Sequence, residues 1–120
     1  MVGTAFIFDA VRTPRGKGKK GGGLNSVKAV DLMGVSLSGL ASRNELNTEI
    51  IDDVTVGCVT QVGEQGACIA RTAILLAGYE ETVPGVTLNR FCGSGLEAVN
   101  GAAAKVASGF CDVVVAGGVE

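Results

Sequence analysis

The residues best suited to chemistry lie in one run, Leu88-Asn89-Arg90-Phe91-Cys92-Gly93-Ser94-Gly95-Leu96-Glu97-Ala98-Val99. An apolar strand pattern ends there, a cysteine follows, and a helical pattern begins. A cysteine attacks as its thiolate, and at an ordinary pKa of about 8.5 roughly 3% of a thiol is ionised at pH 7. A helix N-terminus presents partial positive charge and free N–H donors, and both favour the anion. Gly93 and Gly95 carry no side chains, so a substrate carbonyl has room to approach the backbone, where amides could hold an oxyanion. The layout resembles a nucleophile elbow with Cys in place of Ser. Ser94 and Glu97 have the Ser-x-x-Glu spacing of a capping box, which starts the helix near Gly95 and leaves Cys92 just before it.

Other readings of the same residues stand beside this one. Cys92 could be a small apolar filler of the strand-to-helix turn; local context leaves filler and nucleophile level. Ser94 as nucleophile lacks an activating imidazole, because the chain has no histidine. Gly93-Ser94-Gly95-Leu96-Glu97-Ala98 also fits the dinucleotide fingerprint G-x-G-x-x-G/A between a strand and a helix. That motif wants an acid about 20 residues on, at the end of the next strand. Asp112 has the spacing but opens its strand, and Glu120 follows the strand but comes late. A dinucleotide-binding domain using residues 93–98 is therefore the alternative function, together with a non-catalytic relative of an enzyme.

The remaining polar features carry less. Arg12, Arg15, Lys17, Lys19 and Lys20 lie in a Gly-rich stretch without the P-loop pattern, so a solvated loop is expected before a phosphate contact. Asp52-Asp53 reads as a solvated turn before a strand, Arg71 as a partner for an acid or another subunit, and Gln65 as a structural polar group near the site.

Composition bounds the setting. The chain has 120 residues, 47% of them hydrophobic, enough for one domain with a real core. Aromatics make up only 4%, so that core must come from Val, Ile, Leu and Ala. A net charge of −2 gives no general attraction to nucleic acid or an anionic membrane, and no run of about 18 apolar residues exists to span one. No signal or transit peptide is read at the N-terminus. Cys58, Cys68, Cys92 and Cys111 have neither zinc-site nor disulfide-scaffold spacing, which suits a reducing cytoplasm. No metal or cofactor is expected.

The elements that must position Cys92 alternate. Residues 4–9 (TAFIFD), 53–58 (DVTVGC), 83–89 and 111–116 (CDVVVA) read as strands. Helices are expected from a cap at Asn25 or Ser26 to about Arg43, over 66–77 with Gly78 at the end, and over 95–108. Gly34 and Gly39 within the first helix suggest close packing. The order β-α-β-α-β-α-β implies an α/β fold with a mostly parallel sheet and right-handed crossovers. The ending Gly117-Gly118-Val119-Glu120, just past a buried strand, reads as a truncation.

With these residues in view, the chain resembles the thiolases, of the acetyl-CoA acetyltransferase or 3-ketoacyl-CoA thiolase kind. Four stretches carry the likeness: Asp9-Ala10-Val11-Arg12-Thr13-Pro14; Gln61-Val62-Gly63-Glu64-Gln65-Gly66 leading to Ala70-Arg71; Asn89-Arg90-Phe91-Cys92-Gly93-Ser94-Gly95-Leu96; and Ala116-Gly117-Gly118-Val119-Glu120. They follow the family's order across the whole chain, which corresponds to about the first third of a typical member. The resemblance implies a layered α-β-α-β-α fold of two similar halves, with residues 1–120 as an incomplete N-terminal thiolase domain. It implies that Cys92 takes the acyl group from acyl-CoA, and that CoA thioesters are substrates. It places a second cysteine, a histidine and an Asn-held water in later segments, so the isolated chain is expected to be inactive. It also implies a homodimer or homotetramer for the intact protein.

Overall fold

In a computed structural model describing residues 3–120, the chain is built around one strand, β1 (Asp53–Gly57). Every residue of β1 from Val54 onward is buried. A strand with no solvent face must be covered on both sides, and such strands read as continuous apolar runs. β2 (Gly85–Leu88) and β3 (Val114–Gly118) flank it, both parallel to it, giving the order β2-β1-β3.

That order dictates the layers. The chain moves from β1 outward to β2, then back across β1 to β3. With right-handed crossovers, a reversal of direction puts the two connecting helices on opposite faces. α2 (Ile69–Leu76) packs on β1 and β2, and α3 (Ser94–Ala107) packs on β1 and β3. α1 (Ala29–Arg43) lies over α2 and completes that layer. Its buried face is Ala29, Val30, Met33 and Leu37, a helical stripe that joins Val54, Val56, Cys58, Ile69, Ala73 and Ile74 in one core. The α3 side is made of smaller groups, Thr55, Ala98 and Ala102.

Several boundaries differ from the expectations, each for a visible reason. Residues 4–9 do not form a strand, and neither sheet edge bonds to them. Phe6, Ile7 and Phe8 are exposed, while Gly3 N–H donates to Ala107 O (2.7 Å) at one end and Asp9 holds Arg43 and Asn44 at the other. α1 begins after Lys28 with no side-chain cap; Asn25 instead donates from Nδ2 to Gly18 O (2.9 Å), closing the Gly/Lys loop. β2 starts at Gly85 because Pro84 has no N–H for the ladder, though its carbonyl accepts from Val54 N (3.2 Å). β3 starts at Val114, later than residue 111, because the Asp52 carboxylate takes the Asp112 and Val113 amides at 2.7 and 3.0 Å. Those two bonds, Val113 first, hold the Asp52 carboxyl below its usual range. Asp53 pairs with Lys105, so the acidic pair fastens sheet to helix and is no free turn. Among the described residues Arg71 pairs with no acid: its guanidinium donates to Val83 O and Glu81 O at 2.5 and 2.8 Å. Gly34 packs against Leu76, whereas Gly39 faces open space.

The Gly78 expectation holds. Its φ is +74°, and Tyr79 N–H returns to Ile74 O (3.2 Å) to close α2. One buried hydroxyl in the core, Thr55 Oγ1, has no hydrogen-bond partner among the described residues. Thr55→Val is therefore expected to stabilise the fold by about 1 kcal/mol, read from denaturant midpoints, because a buried polar atom left unpaired costs more than an apolar one. A fall in the midpoint would show that the hydroxyl is satisfied.

Candidate active site

Because the three strands are parallel, their carboxyl ends lie together at one edge of the sheet. The chain's crossovers reverse direction about β1, running out to β2 and then back across to β3, and such a topological switch point is where open α/β sheets bind ligands. Three segments leave that edge: Cys58-Val59-Thr60 after β1, Asn89-Arg90-Phe91-Cys92 after β2, and Val119-Glu120 after β3.

Cys92 is exposed, two residues before the first residue of α3. The other three cysteines are not exposed. Cys58 and Cys111 are buried, and burial pushes both thiols up, helped at Cys58 by the Glu120 charge. Cys68 is half-buried, with Sγ 3.5 Å from Gly85 O and 3.4 Å from Thr87 Oγ1. Within these 120 residues Cys92 fills no core space.

The turn that presents Cys92 is tight. Phe91 sits at φ +46°, in the left-handed region that side chains rarely adopt. Such a residue costs about 1 kcal/mol or more and persists only where its surroundings hold it. Here Phe91 N–H donates to Asn89 Oδ1 at 2.8 Å. Ser94 Oγ accepts from Arg90 N–H at 2.8 Å and donates to Phe91 O at 2.6 Å.

Ser94 is thus not a capping-box residue. It is the first residue of α3, with Gly93 at the cap, and its buried hydroxyl reaches back over the turn, away from the Glu97 amide. Glu97 N–H bonds to Gly93 O (2.8 Å), and the Glu97 carboxylate pairs with Arg90 Nε at 3.1 Å. The glycines also serve differently than expected. Gly93 N–H is engaged by Arg90 O at 3.0 Å and so is not free for an oxyanion. The close approach of helix tip to sheet falls to Gly118, where a Cβ would lie 3.1 Å from Gly95 Cα, whereas a Cβ on Gly95 would meet Gly118 Cα at an ordinary 3.8 Å. The dinucleotide reading loses its acid as well. Asp112 stands at the amino end of β3, and Glu120 is occupied elsewhere.

Glu120 is one of two polar residues whose place the sequence reading did not foresee. Its carboxylate accepts from Val59 N–H at 2.9 Å and Thr60 N–H at 3.1 Å. Bonds from Thr60 first, then Val59, hold its carboxyl below the usual range. Gln65 Nε2 supports the same loop by donating to Thr60 O (2.9 Å), which bears out its structural role. Asn89 is the second: its Nδ2 donates to Val59 O at 3.1 Å. The only hint in the sequence is position, one polar residue just past the end of β2 and one past β3. A carboxyl with a lowered folded-state pKa stabilises at neutral pH, and that contribution is lost as pH falls through the lowered value. The Val59 and Thr60 amide resonances should therefore hold steady through the ordinary glutamate range and move only in stronger acid. Titration of both amides at an ordinary glutamate pKa would contradict the bonding.

Arg12, Arg15, Lys17, Lys19 and Lys20 are all exposed, and Arg12 Nη1 donates to Thr13 O (3.2 Å). Among the described residues no cluster of three His, Cys, Asp or Glu side chains could hold a metal, and no helix is long and apolar enough to cross a membrane.

Comparison with known proteins gives one consistent result. The thiolase N-terminal domain matches residues 5–120. A 3-oxoadipyl-CoA/3-oxo-5,6-dehydrosuberyl-CoA thiolase of Escherichia coli is 50% identical over 117 residues, covering 97% of this chain and 29% of the relative. A steroid 3-ketoacyl-CoA thiolase of Mycobacterium tuberculosis is 46% identical over 116 residues, covering 97% of this chain and 28% of the relative. The crystal structure of the Bacillus anthracis acetyl-CoA acetyltransferase superposes with a TM-score of 0.89 at 38% identity, over 99% of this chain and 29% of that one. The chain therefore spans less than a third of the length of the relatives it matches. The α/β fold is thiolase-like, and the chain belongs to the thiolase family.

Proposed function

We propose that the intact protein containing this chain is a CoA-dependent thiolase in which Cys92 accepts the acyl group. The observation that carries the reading is the exposed sulfur on a strained turn at the carboxyl edge of a parallel sheet, at the tip of α3. Cys92 Sγ, as thiolate, attacks the thioester carbon of an acyl-CoA. The carbon–sulfur bond to CoA then breaks, CoA leaves as its thiolate, and Cys92 carries the acyl group. In the degradative direction Cys92 instead attacks the 3-keto carbon of a 3-ketoacyl-CoA, the C2–C3 bond breaks, acetyl-CoA leaves as its enolate and takes up a proton, and the thiol of CoA then takes the shortened acyl group off Cys92. In the synthetic direction the carbanion of acetyl-CoA takes the acyl group off, forming a 3-ketoacyl-CoA. Carbanion formation needs a general base, and this chain has no histidine to supply one. The rest of the protein must bring it, so the 120 residues alone are inactive. Substrates are acetyl-CoA and 3-ketoacyl-CoA thioesters, with no further cofactor. The named relatives, acting on 3-oxoadipyl-CoA and on steroid 3-ketoacyl-CoA, support this class. A homodimer or homotetramer in the cytoplasm completes the reading.

The test is iodoacetamide labelling of the intact protein with and without acyl-CoA. Labelling at Cys92 that acyl-CoA suppresses supports the assignment. An unreactive Cys92 sinks it and leaves the non-catalytic alternative.

A further inference from the structure

The Cys92 turn is held from two sides, and only one side belongs to its own helix. Behind it, Ser94 closes the turn. In front, Asn89 uses both ends of its amide: Oδ1 accepts from Phe91 N–H (2.8 Å), and Nδ2 donates to Val59 O (3.1 Å) on the loop after β1. That loop is itself held by Glu120, through the Val59 and Thr60 amides at 2.9 and 3.1 Å. A continuous chain of hydrogen bonds thus runs from the end of β3, across the loop after β1, to the residue next to Cys92. It crosses all three strand ends, and it terminates on Phe91, whose left-handed backbone needs outside support.

We infer that Asn89 is a positioning residue that fixes the Cys92 turn against the loop after β1, with Glu120 bracing that loop from the far side. The inference rests on the reading of Cys92 as acyl acceptor and deepens it. Asn89 is exposed and fills no core space, so the two bonds account for its place better than packing does. A nucleophile must approach the thioester carbon along a narrow path, and a displacement near 1 Å can cost about 100-fold in rate.

The experiment uses the intact protein and follows acyl-enzyme formation from acetyl-CoA by mass spectrometry, beside kcat and KM. For Asn89→Ala, acyl-enzyme formation and kcat should fall about 100-fold with KM within about threefold of the parent. Asn89→Asp keeps the acceptor for Phe91 N–H but loses the donor to Val59 O, and should fall about tenfold. Glu120→Gln should show a smaller loss, and adding it to Asn89→Ala should cost nothing further, because both act through one chain of bonds. Asn89→Ala with kcat within about threefold of the parent overturns the inference, as do losses that multiply in the double variant. If Asn89→Ala fails to fold, Asn89→Asp decides: a kcat drop at constant KM supports positioning, and parental kcat overturns it. Cys92→Ser separates the two levels. If that variant is inactive while the Asn89 variants are normal, only the positioning inference falls; if it turns over normally, the function reading falls too.

Discussion

Cys92→Ser should lower acyl transfer by the intact protein by about 1,000-fold or more while leaving its thermal stability unchanged. The two halves of that expectation have separate causes. A serine hydroxyl is far less ionised than a thiol at neutral pH and is the weaker nucleophile, so even with a base supplied by the rest of the protein it gives far less of the attacking anion. Stability should not move because Cys92 is exposed and exchanging sulfur for oxygen there empties no core volume. The measurement is kcat with acetyl-CoA or a 3-ketoacyl-CoA, together with a melting curve. Iodoacetamide adds a control: Cys58 and Cys111 are buried and Cys68 half-buried, so among the cysteines of residues 1–120 the rapid labelling mapped by peptide should be at Cys92 and be lost in the variant. Normal turnover by the serine variant would remove Cys92 from the mechanism.

The largest effect on stability is expected at Gly57. A Cβ placed there would lie 2.3 Å from the Ser94 carbonyl carbon and 2.5 Å from Gly95 N. Both are backbone atoms, so no side-chain rotation relieves the clash. β1 is bonded on both sides and cannot slide, so the tip of α3 must lift away. Gly57→Ala should cost about 4 kcal/mol, beyond the common range for overpacking, and it should slow Cys92 alkylation because the turn rides on that tip. Gly34→Ala makes the contrast. Its Cβ would meet Leu76 at an ordinary 3.6 Å in the middle of α1, so helix propensity wins and a gain of up to about 1 kcal/mol is expected. Equal melting temperatures for the two variants would show that the close approach at Gly57 does not matter.

The parts of this structure that were legible in the sequence are those governed by local pattern. The α1 stripe, the Gly78 stop, the buried character of β1 and the strand–Cys–helix order all come from short-range periodicity and turn chemistry. The misreadings come from long-range partners. Ser94 and Glu97 have capping-box spacing, but the hydroxyl is drawn to Arg90 and Phe91 because the turn before it is left-handed. β3 begins late because a carboxylate from another strand end takes the Asp112 and Val113 amides. Asn89 and Glu120 meet only when three strands bring their ends together, so spacing along the chain could not pair them. The close helix–sheet approaches at Gly57 and Gly118 also depend on strands and a helix distant in sequence, so spacing along the chain gave no sign of them.

The arm at residues 4–8 carries a practical consequence. This ribbon lies outside the sheet, exposes Phe6, Ile7 and Phe8, and its peptide groups bond to nothing among the described residues. Such a ribbon is a template on which another copy can lay down a matching ribbon. Anyone producing these 120 residues by themselves should expect turbidity to set the working concentration before heat does, and a lysine in place of Ile7 to clear the solution without touching the chemistry of the sulfur.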